Sequence, residues 1–458
     1  MKPYLLEPGY KWMDVAVEVV RLYKSANPLV ISPWKPTDNE VNDFKLRCGG
    51  RGVVSTLAKI AYDRVGKGRV ILDSLPPPLI KKHLELKNWE QTSDVLSVLN
   101  LFVSSSATDF YIRSGAMHLG ANKSKSINPN LYCNIKAHEG LNQAYNKDIV
   151  SKAARLWRDI KDGLLPVSFD IMTKLYQLSA DKFHQYDLII VLNAEDSKSV
   201  LLYTCLSADK IDTVLLGDPN QSLHTNEFKF DFRQLDYDIL SRCKNDLNVN
   251  FMAYFESIRR KLGSASQLRY GSEEQAYVVS GDMIPHGTPR HYVTMSNIKS
   301  IEIALELSRK GFPYKFLGGI ERYGIPLMLD LAFLKINQFK FIKNKYIERD
   351  YGDFKGFESY VSSIQDPDLL RIHAFITNRK NPVSDLQLII SDNEKGQHIQ
   401  KASTIGTIHR SKLHCFDIID LSDEFCLGSE PTEFELKSLY SAFSMTKKIV
   451  ITPTGFSM

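Results

Sequence analysis

Two apolar runs constrain this chain more than anything else in it: YDLIIVL at 186–192 and DTVLLGD at 212–218. Neither alternates polar with apolar, as a strand with one wet face would. Both are too short to cross a bilayer, which takes about 18 apolar residues or more. Short unbroken runs of leucine, isoleucine and valine fit strands covered on both faces, as in a parallel sheet flanked by helices. Each run ends in polar residues, NAED at 193–196 and DPNQ at 218–221. In open parallel sheets the groups that handle ligands sit at such C-terminal strand ends.

The rest of the chain extends that pattern. Residues 11–25 place apolar side chains at helical spacing, and three prolines in NPLVISPWKPTDNE (27–40) then break it. FKLRCGGRGVVSTLAKIAYDRV (44–65) reads as a short strand, a glycine-rich turn and a helix starting near Gly52. RVILDSL (69–75) reads as a further strand. A second alternation opens at HYVTMS (291–296), passes a helix over 298–310 and reaches YKFLGG (314–319). It resumes at STIGTIHR (403–410), FDIIDLS (416–422) and KKIVITP (447–453). The expected class is α/β, with two parallel-sheet domains that each carry a helical insertion. The expected bounds are an N-terminal helical segment 1–27, a first domain 28–235 with its insertion at about 86–165, a connecting segment 236–290, and a second domain 291–458 with its insertion at about 325–400.

Composition narrows the classes. A length of 458 residues suits about two to four domains. Hydrophobic residues at 43% and charged residues at 24% exclude a disordered or collagen-like chain. The 58 Lys+Arg against 53 Asp+Glu leave +5, too even for a polybasic membrane anchor and no announcement of a nucleic-acid binder. Cys48, Cys133, Cys205, Cys243, Cys415 and Cys426 form no CxxC pair, so neither a zinc site nor a disulfide framework is expected. Glu7, Asp14 and Glu18 interrupt the stretch where a signal peptide would be apolar. The expectation is an intracellular protein that makes no membrane contact.

The strand ends carry a more specific pattern. LIIVLNAED followed by VLLGDPNQ resembles motifs II and III of superfamily 1 helicases of the UvrD/Rep type. STIGTIHRSKLHCFDIIDL (403–421) resembles their motif V, and ELKSLYSAFSMTKKIVIT (435–452) their motif VI. AARLWRDIK (153–161), KLYQLS (174–179), FLGGIERYG (316–324) and GFESYV (356–361) are similar in texture to the F-box DNA helicase branch. The resemblance implies two RecA-like domains. It also implies an ancestral nucleotide site, at positions whose chemistry this chain has lost.

A phosphate loop, GxxxxGK[ST], needs glycines for close approach, a lysine on the phosphates and a hydroxyl on Mg²⁺. Against the glycine-rich turn its first glycine falls on Cys48, with Gly50 and Gly52 retained, its lysine on Val53 and its hydroxyl on Val54. The motif II aspartate and glutamate fall on Leu192 and Asn193, with Asp196 retained. The arginine finger of motif VI falls on Met445, and the glutamate and glycine of motif V on Cys415 and Leu413. Gln221, whose equivalent in relatives senses the γ-phosphate, is kept together with Gly217, Asp218 and Pro219. No cofactor and no metal are therefore expected.

Nucleic-acid contact is a separate matter. The candidates are Lys81 and Lys82, Arg259 and Arg260, and His409, Arg410 and Lys412 of motif V. KINQFKFIKNKYIER (335–349) adds Lys340, Lys343 and Lys345 among aromatic residues, and reads as an amphipathic helix. The T-F-H element of relatives falls on Thr92-Ser93-Asp94, and Pro76–Pro78 stiffen the loop before it. The expected function is a catalytically silent helicase-like scaffold or binding subunit of a replication, repair, transcription or viral nucleoprotein assembly. Its partners would be other proteins and single-stranded DNA or RNA. The alternatives are an ATP-independent single-strand binder and a divergent ATP-dependent helicase.

Overall fold

The computed structural model describes residues 2–5, 11–33, 36–72, 74–105, 107, 109–113, 116–120, 147–179, 183–208, 211–223, 249–263, 276–285, 287–364, 366–412, 414–454 and 456. The chain divides into two compact units, Met1–Lys244 and Asn245–Met458.

The first unit runs β1 (Lys2–Leu5), α1 (Trp12–Tyr23), β2 (Pro28–Ile31), α2 (Asp38–Arg47), β3 (Val53–Ser55) and α3 (Leu57–Ala61), then a π-helical turn at Tyr62–Gly66. It continues with β4 (Ile71–Leu72), α4 (Pro77–His83), α5 (Trp89–Ser104), the hairpin β5 (Asp109–Arg113) and β6 (Ala116–Gly120), and α6 (Lys147–Lys161). β7 (Val167–Ser168), α7 (Phe169–Gln177), β8 (Leu188–Leu192), α8 (Ser199–Leu206) and β9 (Asp212–Gly217) complete it. Five strands form one parallel sheet in the order β1-β9-β8-β2-β3. All five residues of β8 are buried, as its unbroken apolar run requires. Trp12, Val15, Ala16, Val17 and Val19 bury most of the circumference of α1. At the start of β8, Asp187 accepts hydrogen bonds from the Ser25 hydroxyl and the Ala26 and Asn27 amides, which ties the turn after α1 to the sheet.

Three sequence expectations change in this unit. FKLRC is the C-terminal half of a helix, not a strand, and Val53 begins a strand, not a helix. Thr37 opens α2 with a capping box to Glu40, so helix formation is set before the glycines are reached. The order around Gly49–Gly52 is helix, turn, strand. RVILDSL contributes only β4, which pairs with β7 outside the main sheet. The prolines do not stiffen a loop: Pro76 caps α4 and Pro77 lies in its first turn, where a missing N–H costs nothing. Of the expected insertion, residues 121–146 lie outside the described residues.

The second unit runs α9 (Met252–Lys261), β10 (Tyr277–Ser280), β11 (His291–Thr294), α10 (Asn297–Lys310) and β12 (Tyr314–Phe316). The helical stretch follows: α11 (Ile325–Lys335), α12 (Lys345–Tyr351), α13 (Phe354–Ile364), α14 (Pro367–Asn378) and α15 (Pro382–Gln397). β13 (Ser403–Thr407), α16 (Ile408–Ser411), β14 (Phe416–Leu421), α17 (Glu433–Ser444) and β15 (Thr446–Thr452) close the unit. Its sheet is parallel with the order β10-β15-β14-β11-β13-β12. The helices expected over 325–400 are present, but 335–349 is not one of them. A 3₁₀ turn at Phe339–Phe341 separates α11 from α12, because buried Asp330 accepts the Lys343 and Asn344 amides and fixes the chain there.

Candidate functional site

The C-terminal ends of β8 and β9 carry the residues that the sequence singles out. Leu192 is the last residue of β8 and is buried. The chain then turns through Asn193 in the left-handed region, φ 57°. Asparagine tolerates that conformation far better than a β-branched residue would. A 3₁₀ turn over Ala194–Asp196 follows.

The acids that follow are turned to internal bracing. Asp196 accepts the Leu223 amide at 2.8 Å and the Ser222 hydroxyl at 3.3 Å, tying the end of β8 to the loop after β9. Glu195 is 1% exposed and packs against the Cα of Gly217. Asp218 accepts the Asn220 amide at 2.9 Å and caps the 3₁₀ turn Pro219–Gln221, while Gln221 is buried. Among the described residues no three His, Cys, Asp or Glu side chains are placed to hold a metal ion. Leu192, just before these acids, offers no ligand to a divalent cation.

The glycine-rich turn does not belong to this site. Cys48 is the C-cap of α2, and Gly49, Gly50 and Gly52 have φ of 70°, 83° and 88°. Val53 and Val54 lie in β3, paired with Leu29 and Val30 of β2. A phosphate loop joins the C-terminal end of a strand to the start of a helix. This turn does the reverse, so its assignment as the degenerate phosphate loop is corrected.

The unit that has the right direction, and whose strand lies beside β9, is β1–α1. Leu5 of β1 pairs with Gly217, and Lys11 is the exposed N-cap of α1. Set against GxxxxGK[ST], Leu5-Leu6-Glu7-Pro8-Gly9-Tyr10-Lys11-Trp12 keeps the lysine, at Lys11. It lacks both glycines at their places and has buried Trp12 for the hydroxyl. Residues 6–10 lie outside the described residues. Sequence reasoning missed Lys11 because KPYL has no strand periodicity, although a lysine just before a strongly periodic helix was visible.

In the second unit, Met445, which the motif resemblance sets against an arginine finger, is the C-cap of α17 and is 2% exposed, so its side chain faces the interior. Cys415 is exposed, and Leu413 lies outside the described residues. Of the expected nucleic-acid contacts in motif V, only His409 is exposed, with its ring stacked on Phe434. Lys412 is buried. Arg410 stacks over Tyr323, 4.4 Å from the ring centre. It donates to Asn297 Oδ1, Thr407 Oγ1 and the Arg322 carbonyl. Burial, with a smaller contribution from neighbouring Arg322 and against the opposing effect of Tyr323, holds its pKa below the usual arginine value.

Arg259 is buried in α9, whereas Arg260 is exposed. The nucleic-acid readings of Arg259 and Lys412 are thus corrected, since both are buried, and that of Arg410, since internal hydrogen bonds hold it. Lys81 lies over the Trp89 ring and Lys82 is exposed on α4. Thr92, expected in a strand-contacting element, is buried on α5 with its hydroxyl on the Asn88 carbonyl. Lys340 and Lys343 are exposed beside Phe341, which is 47% exposed; the side chain of Lys345 lies outside the described residues. A cavity of about 330 Å³ lies between α10 and the ends of β11 and β14. Its cations Arg290, Lys299 and Lys310 are matched by Asp420, Asp423 and Glu306, so it shows no preference for anions.

No family model matches the chain. The chain is similar to F-box DNA helicase 1 of Gallus gallus, 25% identical over 321 residues that cover 60% of this chain and 29% of the relative. It spans less than a third of that relative's length. The similarity supports a helicase-related origin. No helix among the described residues is long and apolar enough to cross a membrane.

Proposed function

We propose that this helicase-related chain consists of two RecA-like units that do not hydrolyse nucleotide. It acts as a binding or scaffolding subunit of a nucleic-acid-processing assembly, in replication, repair, transcription or a viral nucleoprotein. The observation that carries the reading is the end of β8, where Leu192 and Asn193 stand in place of a metal-binding aspartate and a catalytic glutamate. Leucine offers no ligand to a divalent cation, and an asparagine amide takes no proton from water. Met445 adds to this, since an arginine finger is worth about 10³–10⁵ in rate in related phosphoryl transfer. Lys11 leaves room for phosphate contact without supplying either missing group. The test is phosphate release from ATP, with and without single-stranded DNA. The expected result is no turnover above a protein-free control; turnover abolished by Lys11→Ala would refute the proposal and favour a divergent ATP-dependent helicase.

A second reading is ATP-independent binding of single-stranded DNA or RNA, favoured by exposed Phe341 between exposed Lys340 and Lys343. Aromatic stacking with flanking cations is how such strands are held without sequence preference. Fluorescence anisotropy over a salt series decides it. Affinity should fall steeply as salt rises, and salt-indifferent binding counts against it.

A further inference from the structure

His291 opens β11 at the centre of the second unit's sheet and is 1% exposed, yet both ring nitrogens are engaged. Nδ1 lies 2.7 Å from Thr404 Oγ1 on β13, and Nε2 lies 2.7 Å from Ser411 Oγ at the end of α16. The direction of this chain of bonds follows from proton counting. The Ser411 hydroxyl has one proton and donates it to the Thr407 carbonyl at 2.9 Å. It must therefore accept from Nε2–H, which leaves Nδ1 to accept from the Thr404 hydroxyl. The ring is also stacked on Phe416 of β14, with centres 3.7 Å apart. Gly406 leaves the space this requires: a Cβ there would lie 2.5 Å from Ser411 Oγ and 3.0 Å from His291 Cε1.

We infer that His291 is a positioning residue: through Ser411 it sets the height of α16 over the sheet, and with it the placement of His409 and Arg410 beyond the strand ends. The inference rests on the single-strand reading of the proposed function, and adds exposed His409 to the surface that meets the strand. α16 has four residues and no side-chain cap, so little within the helix itself fixes its position. Arg410 holds the outer side of the helix to Asn297 and Arg322. His291 holds the inner side to β11, and through Thr404 to β13. Burial, and then the neighbouring His414, outweigh an opposing hydrogen bond to Thr404 and lower the His291 pKa to about 3, so the imidazole is neutral at neutral pH.

The test measures amide hydrogen exchange over residues 408–412 together with anisotropy of a fluorescein-labelled oligo(dT) at low salt. His291→Leu and Ser411→Ala should each speed exchange in α16 and weaken binding about tenfold, while His291→Gln, which keeps an N–H for Ser411, stays close to wild type. Ser411→Ala removes one oxygen and keeps the measurement open if His291→Leu fails to fold. Wild-type protein that binds no oligonucleotide sinks the single-strand reading and this inference together. Wild-type binding with unaltered exchange or affinity in the variants sinks this inference alone.

Discussion

At the scale of single residues, two buried positions, Gly217 and His291, are so closely surrounded that replacement there has a predictable sign. Gly217 touches the Glu195 carboxylate so closely that a Cβ would lie 2.1 Å from Oε2. Gly217→Ala should therefore destabilise the first unit by about 1–3 kcal/mol, the usual cost of overpacking. A urea midpoint equal to wild type would show that Glu195 can swing away. His291 gives a pH dependence. Burial lowers its pKa to about 3 in the fold, from the ordinary imidazole value of 6.5. Between these values the unfolded chain binds a proton that the folded chain refuses. Stability is thus full above pH 6.5 and declines by about 1.4 kcal/mol per pH unit as pH falls toward 3. Urea unfolding at pH 7 and pH 5 should show wild type losing about 2 kcal/mol more than His291→Gln. Equal losses would mean that acid sensitivity lies elsewhere.

At the scale of elements, the strands that the sequence announces are those buried on both faces. β8, β9 and β13 lie where their apolar runs predict, because burial on both sides demands a local signal in the chain. The errors fall where local signals compete. Residues 44–48 look extended beside Val53 and Val54, yet Thr37 and Glu40 start a helix that runs through to Arg47. Thr37→Ala should remove that cap and cost about 1 kcal/mol, read as a lowered melting temperature and faster exchange at the start of α2. Gly52 is held differently, with φ 88° and a would-be Cβ 2.8 Å from the Phe44 ring. Gly52→Ala should be the more damaging change. A phosphate loop would instead reveal itself through lost nucleotide affinity at unchanged stability. The region 335–349 was misread for another reason. Its helical periodicity is real, but buried Asp330 captures two amides from outside its own helix and breaks the run.

At the scale of the whole molecule, the proposed loss of nucleotide hydrolysis implies a site that should resist piecemeal repair. Groups in one catalytic site act as a unit, so restoring one of several recovers little. Leu192→Asp with Asn193→Glu, or Met445→Arg alone, should leave ATP turnover at background in a phosphate-release assay. Activity from either change would mean that the remaining groups are already assembled. The sequence alone determined that the chain is α/β, that parallel strands end in Asn193–Asp196 and Asp218–Gln221, and that Leu192 and Asn193 precede the acids there. Those are properties of side chains and of short runs, and they are present before any folding. Only the tertiary structure decided which strand–helix connection lies beside those ends. It replaced the Gly49–Gly52 turn with β1–α1 and Lys11, because Leu5 pairs with Gly217 from the far end of the unit. It likewise decided which cations face outward: Lys412 and Arg259 are buried and Arg410 is bonded on three sides, while His409 and Lys340 remain exposed. Pairing between distant segments fixes both outcomes, and no local pattern of residues encodes it.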